Sequence, residues 1–368
     1  MQYRPFGKTG DTCSALGFGC MRLPEKDGAI DEATAAAMLR GAIDRGLNYV
    51  DTAYDYHNRQ SEAFVGRALG DGYRNKVLLA TKAPEWHMDI PEDFDTILDG
   101  QLRRLQTDHI DNYMFHAVER KWWDLIHNFD LLTRMEKAKA AGKVRHIGFS
   151  FHDSADVFMQ VLSGYDWDFC QIQLNYVDVL FQAGRAGMLA AAEKGLAVIA
   201  MEPLLGGHLA DPPAAVKEAL PAGSPVQAAL DFLWQYPQVS VILSGMSSPQ
   251  QAEDNMRYAD ESRPDKLNEA DFARFGAARE AFLSLQSVRC TGCGYCQPCP
   301  FGVEIPHVFD LYNRFYIDAE PAQNFYSAVK GNAALCRECH ACEQACPQHL
   351  PIAQLMPKIH AALIRAER

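Results

Sequence analysis

Short apolar runs alternate along the chain with longer segments whose apolar positions recur every three to four residues. The short runs fall at 16–20, 47–51, 77–81, 110–115, 145–149, 169–174, 196–200 and 239–243. At five or six residues they are strand-sized, and continuous apolar runs suit strands buried on both faces. The longer segments, among them 32–45, 94–105, 131–141 and 182–194, carry the helical period. Three of these end at a glycine directly before the next strand, Gly46, Gly142 and Gly195, the usual residue just past a helix C-terminus. Eight strands alternating with helices predict a parallel α/β fold. The count of eight, with no GxGxxG turn after the first strand, favours a closed (β/α)8 TIM barrel over a doubly wound sheet. A further helical stretch, 266–285, leads out of the barrel.

A barrel takes about 250 residues, and this chain has 368, so a smaller second domain is expected. The pattern changes at Arg289, which divides the chain into a barrel at 1–287 and a mainly helical domain at 288–368. Eight of the 11 cysteines lie in the second part. Cys336, Cys339, Cys342 and Cys346-Pro347 have the CxxCxxCxxxCP spacing of bacterial ferredoxins, in which the fourth thiolate serves the other of two clusters. Cys290, Cys293, Cys296 and Cys299-Pro300 repeat it with the last gap one residue shorter. The spacing therefore predicts two 4Fe–4S clusters, one on Cys290, Cys293, Cys296 and Cys346 and the other on Cys336, Cys339, Cys342 and Cys299. Zinc is the alternative, although it prefers CxxC pairs without a third cysteine at the same step. A weak internal repeat accompanies the motifs: residues 299–306 are echoed by 346–353. The helical stretches between and after the motifs resemble helical dicluster ferredoxin modules. Cys13, Cys20 and Cys170 are scattered, and are expected to pack as small apolar residues.

Charge narrows the partners. With 35 Lys+Arg against 47 Asp+Glu the formal net charge is −12, which argues against nucleic acid or an anionic membrane as a partner. No signal peptide is expected, and no run reaches the roughly 18 apolar residues of a membrane span. The expected location is the cytoplasm.

In such a barrel the chemistry sits at the C-terminal ends of the strands. Asp51 ends the second run and Tyr56 follows it, Lys82 closes the third, and His116 closes the fourth. Carbonyl reduction, the reaction implied by the family resemblance that these residues carry, would use them as follows. The oxygen gains negative charge as hydride arrives and needs a positioned proton donor. Tyrosine holds its proton tightly, with a pKa of about 10, and a neighbouring lysine cation is expected to lower that value. Asp51 would pair with Lys82, and His116 would orient the carbonyl by a hydrogen bond.

The run Asn48-Tyr49-Val50-Asp51-Thr52-Ala53, with Tyr56, Ser61-Glu62, Thr81-Lys82 and His116, resembles the aldo-keto reductase family over about residues 3–258. The resemblance implies a catalytic tetrad of Asp51, Tyr56, Lys82 and His116, a small carbonyl or alcohol substrate and a nicotinamide cofactor, NAD(P)H, at the same mouth. It places Ser150 and Gln171 on the carboxamide and Asn255 on the adenine side. Gly245, Ser247 and Ser248 precede Pro249; Ser248 as N-cap and Pro249 at the first helical position predict a helix start suited to a cofactor phosphate. Three positions depart from the family: Phe151 where many members have Asn, Met201 where many have Tyr, and Gln251 where NADP-specific members have Arg. Without that cation, NAD(H) is expected to bind at least as well as NADP(H).

Hydride transfer moves two electrons together, whereas a 4Fe–4S cluster moves one at a time. Coupling them calls for a flavin or a radical-tolerant substrate, and the sequence holds no flavin signature. The expected function is therefore reversible carbonyl–alcohol conversion with Tyr56 as acid and base. The alternatives are a reductase that draws single electrons from a ferredoxin-type donor, with or without a flavin, a non-catalytic electron carrier, and clusters that serve structure alone.

Overall fold

The computed structural model describes residues 1–285, 287–288, 290, 294–315, 319–346 and 349–364. The chain forms two compact units, Met1–Asp211 with Pro221–Phe272, and Pro212–Leu220 with Ala273–Arg368.

In the first unit eight parallel strands close into a barrel: β1 (Leu16–Gly19), β2 (Tyr49–Asp51), β3 (Leu78–Ala83), β4 (Ile110–Val118), β5 (Val144–Phe151), β6 (Phe169–Gln173), β7 (Ala197–Met201) and β8 (Val239–Gly245). β8 pairs with β1 through Gly245 and Gly19, and each other strand pairs with its neighbours in sequence. Every strand overlaps a predicted run. Gly46 and Gly195 have φ of +96° and +79°, the left-handed conformation that ends the preceding helices. A hairpin of Tyr3–Pro5 and Thr12–Ser14 precedes the barrel. Its three-residue strands are too short to show a period. The hairpin is anchored by the Arg4 guanidinium, which donates to the carbonyls of Trp234, Tyr236 and Val239 at 2.5–2.8 Å.

Strand alternation sets the site. Tyr49, Ala80, Met114, Phe169, Ile199 and Val241 form the apolar barrel interior. Side chains two residues apart share a face, so the next inward position along five of these strands holds Asp51, Lys82, His116, Gln171 and Met201. On β5, Gly148 leaves room for the Phe169 ring, which a Cβ there would meet at 2.6 Å. Ser150 is the next inward residue of that strand. The outward residues Phe149 and Phe151 pack on Phe158 of the helix Ala155–Ser163. The polar layer thus lies directly above an apolar core.

The second unit has its own core, with Val303, Ile305, Val308, Phe309, Ile352, Met356 and Ile359 fully or nearly fully buried. The sequence repeat is visible in its backbone. Gly294 and His340, each following the second cysteine of a motif, have φ of +75° and +60°. Gly302 and His349, three residues after Cys299 and Cys346, have φ of +79° and +50°. The helices Ile305–Phe315 and Ile352–Leu363 then begin, each with a buried isoleucine. Among the described residues no helix is long and apolar enough to cross a membrane.

Candidate active site

Lys82 is fully buried. Its Nζ donates to both carboxylate oxygens of Asp51 and to the Thr52 carbonyl, each at 2.8 Å. Three donors meet three acceptors, which is what makes a buried ammonium tolerable. Burial pulls the Lys82 pKa down, but Asp51 and then Tyr56 outweigh it and hold the ammonium above its usual 10.5. Behind this pair, Ser61 Oγ donates to the Cys20 carbonyl at 3.0 Å and lies 2.9 Å from Thr52 Oγ1. Buried Glu62 accepts from Thr81 Oγ1 and Gln101 Nε2 at 2.7 and 2.6 Å, and so steadies β3 beside Lys82.

Tyr56 lies between β2 and the helix Ser61–Ala68, half-buried, with its ring 4.9 Å from Lys82 Nζ. Burial pushes its hydroxyl above the usual 10; Lys82 acts downward and Asp51 upward. The expectation of a lowered pKa therefore holds for the lysine's share alone. The phenol is protonated throughout the neutral range.

His116 sits at an irregularity. The register of β4 on β5 shifts between Phe115 and Val118, and Ala117 has φ of +50°. Bulges of this kind re-aim a side chain. The imidazole meets the Tyr56 ring edge-on, centroids 6.1 Å apart, and the Trp86 ring at 4.9 Å. Its backbone N–H donates to Glu85, and among the described residues its buried Nδ1 has no partner. Burial, then the charges of Lys82 and His152, drive its pKa well below 6.5, so the ring is neutral. Asp51, Tyr56, Lys82 and His116 thus come together at one end of the barrel.

The residues expected at the nucleotide are spread around the same rim. Ser150 and Gln171 pair across β5 and β6, both nearly fully buried. Gln171 Nε2 reaches Met201 Sδ at 3.6 Å, and among the described residues its buried Oε1 has no partner. Gly245 ends β8. Ser248 caps the helix Pro249–Asp260 by accepting from Gln251 N at 3.3 Å. Ser247 donates through N and Oγ to Gln251 Oε1 at 2.8 and 3.2 Å, which holds that side chain against the helix start. Asn255 is buried and donates to Ser244 Oγ at 2.9 Å. Phe151 faces the outer helices rather than the mouth.

Four rim residues were not legible as site residues in the sequence: Arg22, Glu85, Trp86 and His152. Arg22 lays its stem over Gly245, where a Cβ would meet its Cβ at 3.2 Å, and carries its guanidinium toward Gly206. Trp86 Nε1 donates to Asp55 at 2.9 Å. None belongs to a spaced motif: Arg22 follows β1, Glu85 and Trp86 lie on the 3-10 turn Glu85–His87 after β3, and His152 directly follows β5.

In the second unit Cys299, Cys336, Cys339 and Cys342 line one cavity together with Arg337 and His340. Cys290, Cys296, Cys299, Cys336, Cys342 and Cys346 are partly buried against the unit's core, and Cys339 is exposed. Cys293 and Pro347 lie outside the described residues. Among the described residues no three His, Cys, Asp or Glu side chains converge as the ligands of a single ion would. Four soft thiolates lining one cavity suit the ligation of a 4Fe–4S cluster. Cys13, Cys20 and Cys170 are fully buried in the barrel, and burial raises each thiol well above its usual value.

A closed eight-stranded barrel with an Asp, Tyr, Lys and His layer at its C-terminal rim defines an oxidoreductase of the aldo-keto reductase class. The Aldo/keto reductase family matches residues 15–278, and a 4Fe-4S dicluster domain matches 289–350. The chain belongs to the aldo/keto reductase family and carries a C-terminal 4Fe–4S dicluster domain. It is 28% identical over 287 residues to L-galactose dehydrogenase of Arabidopsis thaliana, covering 70% of this chain and 87% of that one. It is 34% identical over 158 residues to methylglyoxal reductase YeaE of Escherichia coli, covering 43% and 52%. The holo form of aldo-keto reductase AKR11C1 from Bacillus halodurans is similar with a TM-score of 0.65 and 26% identity, over 76% of this chain and 97% of that one.

Proposed function

We propose that the protein reduces a small carbonyl compound to an alcohol, and catalyses the reverse, with Tyr56 as the proton donor and acceptor. The observation that carries this reading is the buried Lys82–Asp51 pair with Tyr56 against it and a neutral His116 alongside. A protonated phenol supplies the proton in the direction of reduction, and the Lys82 cation eases its departure. Asp51 holds Lys82 in place. A neutral imidazole at His116 binds the carbonyl oxygen without competing for the Tyr56 proton. The two relatives named for their activities, L-galactose dehydrogenase and methylglyoxal reductase, support a small oxygen-rich substrate.

The residues fit a nicotinamide dinucleotide. Gln171 Oε1, without a partner among the described residues, would accept from a carboxamide, with Ser150 beside it. Gly245, Ser247 and Ser248 at the helix start, with Arg22 over Gly245, would face the phosphates, and Asn255 would lie toward the adenine. When bound, the nicotinamide supplies the hydride. We assign the functional boundary to residues 287 and 288. In the second domain Cys290, Cys293, Cys296 and Cys346 would hold one cluster and Cys299, Cys336, Cys339 and Cys342 the other. The shared cavity of the latter four is the support for that crossover. Bound clusters supply one-electron transfer, and the exposed Cys339 favours an external donor as the exchange partner.

The test is made on protein prepared without oxygen. NADH- or NADPH-dependent reduction of glyceraldehyde and methylglyoxal is measured in the wild type and in Cys339→Ala. Equal turnover in both supports nicotinamide-driven reduction with the clusters off its path. Turnover with reduced ferredoxin alone, lost in Cys339→Ala, overturns it in favour of the one-electron route.

A further inference from the structure

The rim holds a second histidine. Along β5 the inward residues are Gly148 and Ser150, and the outward ones Phe149 and Phe151. The next inward position is His152, one step past the strand end. Its N–H donates to the Val118 carbonyl at 3.2 Å, which ties it to the end of β4 just beyond His116. Gln182, from the loop after β6, sets its amide nitrogen 3.4 Å from His152 Nδ1. With Nδ1 accepting, the proton of the neutral ring is on Nε2. Among the described residues Nε2 has no hydrogen-bond or ion-pair partner. Burial lowers the His152 pKa, with Glu202 at the end of β7 opposing it. His152 in turn discourages protonation of His116. The backbone bond to Val118 and the Gln182 amide thus fix His152 beside the end of β4, on the inward side that the alternation of β5 sets.

We propose that His152 reads the substrate: its Nε2–H donates to an oxygen on the carbon next to the reacting carbonyl, so the site prefers α-hydroxy and α-oxo carbonyl compounds over plain aldehydes. The proposal rests on the reading that His116 receives the reacting carbonyl. Adjacent strands lie about 4.8 Å apart, a separation that side chains receiving two oxygens on neighbouring carbons can span. Gln182 is the positioning residue that keeps Nε2 as the donor. A solvated rim histidine would need no such amide against Nδ1, and it would not be drawn inward by the strand alternation. A site built to donate to a substrate oxygen leaves that donor unpaired when the oxygen is missing, which is a strong source of discrimination.

The experiment compares glyceraldehyde with propanal on the cluster-loaded enzyme, as the ratio of their kcat/KM values. His152→Leu is expected to lower that ratio by about tenfold. His152→Gln, whose amide restores a donor near the Nε2 position, is expected to recover part of it. A ratio unchanged in His152→Leu overturns the proposal, whether both rates fall together or neither moves. A second measurement covers poor folding of the variant and inactivity of the wild type toward both aldehydes. Wild-type protein is carbethoxylated with diethyl pyrocarbonate and His152 modification is read by peptide mass. Protection by glyceraldehyde and none by propanal supports the assignment. Equal modification with and without glyceraldehyde overturns it. If the wild type turns over neither aldehyde while glyceraldehyde still protects His152, the proposed reaction fails and the binding assignment stands.

Discussion

Glu85 takes the backbone N–H of His116 on both of its carboxylate oxygens, at 2.9 and 3.2 Å, from a position with no solvent exposure. Among the described residues no cation pairs with it. Burial therefore raises its pKa well above the usual 4.5. A carboxyl raised in the folded state stabilises the fold fully below its unfolded pKa, and that stability is lost as pH rises toward the folded value. The protein should thus carry a stability cost at Glu85 near neutral pH. Glu85→Gln keeps the acceptor and removes the ionisation. Its melting temperature should exceed the wild type's at pH 8, and the gain should shrink toward pH 4.5. A variant less stable than wild type at pH 8 contradicts the assignment.

The Lys82–Asp51 pair predicts unequal effects of single and paired changes. Lys82→Met leaves a buried carboxylate without its cation, a loss of about 3–5 kcal/mol by analogy with other buried pairs. Asp51→Asn added to Lys82→Met should return most of that stability, because no charge is then left stranded. Activity should stay low in both variants. Urea unfolding of the two variants and the wild type measures the coupling. Additive losses would show that the two side chains do not depend on each other.

Much of the barrel was legible because its strands are continuous apolar runs, several of them preceded by helix-ending glycines such as Gly46 and Gly195. The gathering of Asp51, Lys82 and His116 at one rim was legible because each falls at the end of an apolar run, where this fold keeps its chemistry. The bulge at Ala117 was not, since nothing in an isolated alanine announces a positive φ. Glu85 and Trp86, on the turn after β3, and His152, just past β5, were missed for a related reason: what each touches is set by the fold and not by a spaced motif. Phe151 drew attention as a departure, yet it faces outward, and its neighbour His152 is the residue presented to the mouth. The direction of the Tyr56 shift also depends on burial, which is a property of the packed site rather than of the Tyr–Lys spacing.

The cysteine arrangement predicts iron. Protein prepared without oxygen should be brown, with about eight irons and eight sulfides per chain. Cys336→Ala should remove about half of the iron, since it takes one ligand from one cluster. Stoichiometric zinc with no charge-transfer absorption would refute the cluster assignment.

Gln251 predicts the nucleotide preference. Its side chain is held by Ser247 and offers no cation to a 2′-phosphate. NADH should bind at least as tightly as NADPH in a fluorescence titration. Gln251→Arg should tighten NADPH about tenfold with little change for NADH, as expected of a new charge-assisted contact. A strong wild-type preference for NADPH would be inconsistent with this reading.

The central claim is that Tyr56 moves the proton in carbonyl reduction, and Tyr56→Phe tests it most directly. The change removes one hydroxyl and leaves the ring that packs beside Lys82 and His116. With iron content, melting temperature and NADH affinity unchanged, kcat for an accepted aldehyde should fall by at least about 10²-fold. Turnover in Tyr56→Phe equal to that of the wild type would contradict the account.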